Sequence, residues 1–134
     1  MNYVLDACAM IALLRDEPGA DRVAAVLLQS GVTNFVHAIN LTEVHYDFIR
    51  AADESIAADA IKAMRSTGIK LRKDISDSFL CDVAKLKGNI RRISLADCFC
   101  VTLARRLDAT ILTSDRGEFE PLKTKNICMI EFIR

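Results

Sequence analysis

Four acidic residues, Asp6, Glu43, Asp97 and Asp115, stand where this chain can do chemistry. Asp6 closes the apolar run Tyr3-Val4-Leu5, and Asp115 closes Ile111-Leu112-Thr113-Ser114. Glu43 and Asp97 each fall three residues after a good helix N-cap, Asn40 and Ser94. If the fold draws the four together, their charges repel until a cation binds. Carboxylate and water ligands select Mg²⁺ or Mn²⁺ over zinc, and such an ion turns water into a nucleophile for hydrolysis.

A plainer reading competes. Acids in a helix's first turn complement the macrodipole, and Asn40-x-x-Glu43 and Ser94-x-x-Asp97 resemble capping boxes. Local context favours the functional reading. Asp97 lies inside Leu95-Ala96-Asp97-Cys98-Phe99-Cys100-Val101, and Asp6 lies between Val4-Leu5 and Ala7-Cys8-Ala9. Unpaired carboxylates in apolar surroundings are expensive, and neither segment offers an adjacent Lys or Arg. A divalent cation is the economical partner.

The elements that must position these acids alternate. Short β-rich runs are expected at Tyr3–Leu5, Val32–His37, Ile69–Arg72, Ala109–Leu112 and Met129–Ile133. Helices are expected at Ala7–Leu14, from Pro18 to about Gln29, Leu41 to about Ala52, Ser55–Ser66, Ile75–Leu86 and Leu95–Leu107. Gly88-Asn89 reads as a break, Thr113–Gly117 as a turn, and Phe119–Leu122 as one helical turn. This alternation predicts a parallel sheet covered on both faces, with right-handed crossovers. A helix linking parallel strands begins at their carboxyl edge, where open α/β sheets bind ligands, so all four acids would share one rim.

The chain's 134 residues suit one α/β domain, 1–134. Lys plus Arg and Asp plus Glu both number 18, so bulk charge argues for neither nucleic acid nor membrane. The 51% apolar content leaves surface for a partner. Five cysteines without a C-x-x-C pair read as small buried hydrophobes in a reducing, cytoplasmic setting. The first residues do not read as a signal peptide: Asp6 interrupts the apolar run and no basic segment precedes it. No apolar stretch reaches the ~20 residues a membrane helix needs. His37 and His45 lack ligand spacing with a cysteine, and Glu118 and Glu120 are lesser candidates near Asp115, one of which could reach a metal through water. No G-x-G-x-x-G, Walker loop or G-x-S-x-G occurs.

In Val4-Leu5-Asp6-Ala7-Cys8-Ala9, Leu41-Thr42-Glu43-Val44, Leu95-Ala96-Asp97 and Leu112-Thr113-Ser114-Asp115 the chain resembles the PIN-domain family, and within it the VapC-type toxins of bacterial toxin–antitoxin pairs. Order, spacing and total length fit throughout. The resemblance implies a five-stranded parallel sheet and Mg²⁺-dependent endoribonuclease activity, with Mn²⁺ able to substitute. It also implies a homodimer and a small neutralising antitoxin. Asp6, Glu43 and Asp97 would be the family's near-invariant acids, Asp115 the variable fourth, and Thr113 the hydroxyl residue of the T-x-D turn. Cys8 departs from a common Ser or Thr. Asp6, Asp97 and Asp115 are the expected metal ligands. RNA binding needs positive charge near the pocket, and Arg91, Arg92 and Arg116 are the candidates for phosphate contacts. Lys62, Arg65, Lys70, Arg72 and Lys73 form a second basic group with no assigned role.

Two other readings stay open. A receiver-like signalling domain also gathers acids at the carboxyl edge of its sheet, but it wants paired acids after strand one and a Lys after the last strand. A catalytically silent binding module on the same scaffold is the other.

Overall fold

The computed structural model describes residues 1–134. Twelve elements follow one another: β1 (Asn2–Leu5), α1 (Ala7–Leu14), α2 (Ala20–Leu28), β2 (Thr33–His37), α3 (Ala38–Ala51), α4 (Glu54–Arg65), β3 (Lys70–Arg72), α5 (Asp77–Asn89), α6 (Leu95–Arg106), β4 (Thr110–Thr113), α7 (Arg116–Thr124) and β5 (Met129–Phe132). The strands form one sheet in the order β3-β2-β1-β4-β5, and every pairing is parallel. This order differs from the 2-1-3-4-5 order of receiver-like and flavodoxin-like sheets, which removes the receiver reading.

Period-two alternation splits β1 between two cores. Tyr3 and Leu5 enter one cluster with side chains of α1 to α4. Val4 enters the other with side chains of α5, α6 and α7. The result is an α/β/α sandwich whose central strand is buried on both faces, as its uninterrupted apolar sequence requires. The chain adds β2 and β3 on one side of β1 and then β4 and β5 on the other. The crevice between the carboxyl ends of β1 and β4 is therefore the topological switch point, the usual ligand position in open α/β sheets.

Several boundaries differ from those the sequence suggests. Asn40 does not cap α3. β2 runs directly into the helix, His37 is the N-cap, and its Nδ1 accepts from the Ile39 N–H at 3.1 Å. With Nδ1 accepting, Nε2 carries the ring proton and donates to the Asp74 carbonyl at 3.0 Å. Helix α2 starts at Ala20 rather than at Pro18, because Gly19 turns the chain with φ of 96°. A Cβ at Gly19 would lie 2.7 Å from Ile133, so glycine is needed there for space as well as for backbone freedom. Asp53 accepts from the Ile56 N–H and caps α4, so Asp53-Glu54 opens a helix. Helix α5 continues through Gly88-Asn89. Helix α7 covers nine residues despite Pro121, because Phe119 and Leu122 on its inner face are drawn into the core.

Candidate metal centre

Asp6 follows β1 and caps α1. Its Oδ1 accepts from the Ala9 N–H at 2.8 Å, and its Oδ2 accepts a short hydrogen bond from the Thr113 hydroxyl. Thr113 ends β4, next to β1 in the sheet, and its Oγ1 accepts from the Asp115 N–H at 2.9 Å. One hydroxyl thus ties the carboxyl ends of both switch-point strands together. Asp115 caps α7, its Oδ1 accepting from the Glu118 N–H at 3.0 Å. Asp97 lies in the first turn of α6, its own N–H bonded to Ser94 Oγ at 3.1 Å. Glu43 reaches in from α3, held by Asn40 Nδ2 at 3.1 Å.

The tightest group is Asp97, Asp115 and Glu118, which each offer an oxygen within 4.8 Å of the others. Asp6 and Glu43 lie outside that triplet, yet their charges act on Asp97. Glu118 thus belongs to the centre more directly than its sequence position suggests. The sequence carries a signal for it: Asp115-x-x-Glu118 has capping-box spacing, which puts both residues in one helical turn, although here the Asp115 N–H donates to Thr113 instead.

The pocket is electrostatically frustrated. Burial pushes Asp6 up to about 7; the Thr113 and Ala9 bonds oppose this, and the Asp115 and Glu43 charges add to it. Asp97 is also raised, first by burial, then by a hydrogen bond shared with Glu118, then by the surrounding acids. Burial raises Glu43, Asn40 lowers it, and Glu118 raises it again. No Lys or Arg offsets these charges, because the five ion pairs of the chain use Asp47, Glu131, Asp74, Asp82 and Glu17 instead. Burial and the same acids hold the Cys8 thiol near 12, so it stays protonated beside an all-oxygen donor set.

A divalent cation fits this donor set. The ligand atoms are carboxylate oxygens, the choice of hard cations, and Glu118 Oε2 is enclosed without a hydrogen-bond partner. A cavity of about 610 Å³ between α5 and α6 has Lys85, Thr102 and Arg105 in its walls and none of these acids.

The basic candidates divide. Arg91 and Arg92 are exposed on the short loop leading into α6 and make no ion pair. Arg116 is engaged elsewhere: its guanidinium stacks 4.4 Å from the Phe132 ring centroid and donates to the Arg134 carbonyl.

A parallel domain of this strand order, with carboxylates gathered at its switch point, defines the class of protein. The chain belongs to the PIN-domain family, whose model matches residues 3–123. Among solved structures it is similar to VapBC2 from Rickettsia felis, bound to a DNA fragment from its promoter, at 18% identity and a TM-score of 0.78 over 98% of each chain. VapBC-1 from nontypeable Haemophilus influenzae gives 17% identity and a TM-score of 0.74, over 99% of this chain and 98% of that one. VapC20 from Mycobacterium tuberculosis, a toxin that cleaves the sarcin–ricin loop, gives 13% and 0.71 over 89% and 94%. No curated protein matches the sequence significantly. No helix is long and apolar enough to cross a membrane.

Proposed function

We propose that this chain is a divalent-metal-dependent endoribonuclease that hydrolyses RNA phosphodiester bonds, and that it is the toxin of a type II toxin–antitoxin pair. The observation that carries the reading is the convergence of Asp97, Asp115 and Glu118, with Asp6 and Glu43 beside them, in a pocket that no guanidinium or ammonium group neutralises. Membership of the PIN-domain family supports it, as does the VapC20 toxin's cleavage of the sarcin–ricin loop.

Asp97, Asp115 and Glu118 would hold the ion, with Asp6 completing the set. Mg²⁺ is the expected ion and Mn²⁺ its substitute. The cation supplies Lewis acidity, lowering the pKa of water and offsetting charge on the phosphate. The rest falls to the chain. Thr113 spends its hydroxyl proton on Asp6 and so fixes that carboxylate's rotamer. Glu43 has Oε1 engaged by Asn40, which leaves Oε2 to bind the ion or to orient the attacking water. Arg91 and Arg92 stand at the entrance to α6 for backbone phosphates, whose contacts dominate RNA affinity. Arg116 needs to leave Phe132 before it can join them.

A small antitoxin and a second copy of the chain are the proposed partners. Ile39, Tyr46 and Ile49 are exposed on α3, a stripe suited to a helical contact. The five free thiols suit a reducing cytoplasm. Cleavage of RNA by the purified chain with Mg²⁺, its loss in EDTA and its loss in Asp97→Asn are the expected results. Full cleavage by Asp97→Asn ends the proposal, and so does absence of cleavage with any divalent ion.

A further inference from the structure

Asn40 is completely buried, in the first turn of α3, and its amide makes an uneven set of contacts. Nδ2 donates to Glu43 Oε1 at 3.1 Å and to the carbonyl of Ala96 at 3.0 Å. Both partners are acceptors, so the amide cannot be flipped without setting oxygen against oxygen. Oδ1 is enclosed and accepts nothing. Ala96 is the residue before Asp97, and its carbonyl is the one point where a side-chain hydrogen bond joins α3 to α6.

Stability alone does not select this residue. Leucine has nearly the same shape, would fill the same enclosed volume, and would bring no unpaired carbonyl oxygen into the interior. That gain is offset, because Glu43 Oε1 and the Ala96 carbonyl each lose a donor, and only replacement of both partners of a buried hydrogen bond is near neutral. What leucine lacks is the fork of two N–H donors. One prong holds the Glu43 carboxylate and opposes the upward shift that burial and the Glu118 charge impose on it. The other grips the main chain beside Asp97. The separation of two acids on different helices is thereby set by a single planar group.

We propose that Asn40 is a positioning residue of the acidic centre, its amide fixing Glu43 on α3 relative to Asp97 on α6 so that a divalent cation meets a prearranged donor set. This inference rests on the metal-dependent reading above and assigns no contact between Asn40 and the ion.

The test uses the full chain and Mn²⁺ alone, with binding measured by calorimetry and by the loss of the free-ion electron paramagnetic resonance signal. Asn40→Leu is expected to stay folded and to bind Mn²⁺ about tenfold more weakly, the low end of what outer-shell partners contribute. Glu43→Gln should weaken binding similarly in the parent and add almost nothing in Asn40→Leu, because the two residues act as one unit. A purely structural asparagine predicts the opposite pattern, with Mn²⁺ affinity unchanged in the folded variant and effects independent of Glu43→Gln. Asn40→Ser, too short to reach either acceptor, gives the same comparison if the leucine variant does not fold. Equal Mn²⁺ affinity in a folded variant and the parent, or additive effects with Glu43→Gln, overturns the proposal while leaving the nuclease reading intact. Failure of the parent chain to bind Mn²⁺ overturns both.

Discussion

Two populations of carboxylate occupy this molecule under opposite rules. Asp47, Glu131, Asp74, Asp82 and Glu17 sit in partly exposed positions, and each has an arginine 2.6 to 3.6 Å away. Asp6, Glu43, Asp97, Asp115 and Glu118 sit deeper, beside one another, with no cationic side chain. The first group is placed where water already screens charge and pairing adds little. The second is placed where desolvation is expensive and is left unneutralised. A chain with 18 basic residues has cations enough to fill the pocket, so the vacancy belongs to the design of the site. Cationic side chains pair with carboxylates at the periphery and are withheld at the switch point, where the proposed divalent cation would supply the missing charge.

The comparison breaks most sharply if the pocket is relieved by mutation. Asp97→Asn keeps the side-chain shape and removes one charge from the tightest group. Cleavage of RNA should fall by roughly 10²–10³-fold or more, the scale of losing one preorganised electrostatic group. The metal-free protein should become more stable, by about 1 kcal/mol or a few degrees in Tm, because repulsion and desolvation are both reduced. An enzyme assay and a thermal melt on the same preparation read both. A variant that loses activity and stability together would assign Asp97 a structural role.

A metal bound as proposed would compete with protons for the same carboxylates, which sets the sign of the pH dependence. Asp6 is raised to about 7 in the fold, above its unfolded value of ~3.9. Its contribution to stability is therefore fully present below pH ~4 and is lost as pH rises through about 7. In EDTA the protein should melt at a higher temperature near pH 5 than near pH 8. With Mn²⁺ the slope should reverse, because metal binding releases those protons and tightens with pH. At 100 times Kd the ion adds about 2.7 kcal/mol. Melting curves at two pH values, with and without metal, give all four points. An identical slope in both conditions would mean that the acids do not share a cation.

How much of this was legible beforehand depends on which force acted locally. The parallel sheet was readable because strands buried on both faces write themselves as uninterrupted apolar runs, as Val4-Leu5 and Ile111-Leu112 do. The pocket's acids were readable because handover points in such a sheet share one edge. Asn40 has the intrinsic preference of an N-cap but does not cap α3, because β2 fixes the backbone of His37, which caps the helix instead. No local pattern encodes the amide's contact with Ala96, because it joins residues 56 positions apart. Glu118 was undervalued since Phe119–Leu122 read as a single turn. Only the cap at Asp115 and the burial of Phe119 and Leu122 extend α7 back far enough to aim Glu118 inward. Arg116 follows Asp115 in sequence, yet helical geometry places its guanidinium over Phe132.

The paired population supplies the smallest effect and the control for all the others. Glu131 on β5 accepts two bonds from Arg22, at 2.6 and 2.9 Å, and a third from the Tyr3 hydroxyl at 3.2 Å. Arg22 holds the Glu131 carboxyl below its usual range, so this pair stabilises above the unfolded pKa and loses its contribution as pH falls through the folded value. That sign is the reverse of the one at Asp6. Glu131→Gln should cost no more than about 1 kcal/mol, since the partners are partly exposed and water screens them. It should leave Mn²⁺ affinity and RNA cleavage unchanged, because it lies outside the acidic centre. A thermal melt in 1 M salt, where screening is nearly complete, should bring the variant and the parent together. A large loss that persists in salt would mean that Glu131 anchors β5 through its geometry rather than its charge, and the division between peripheral and central carboxylates would then need a different basis.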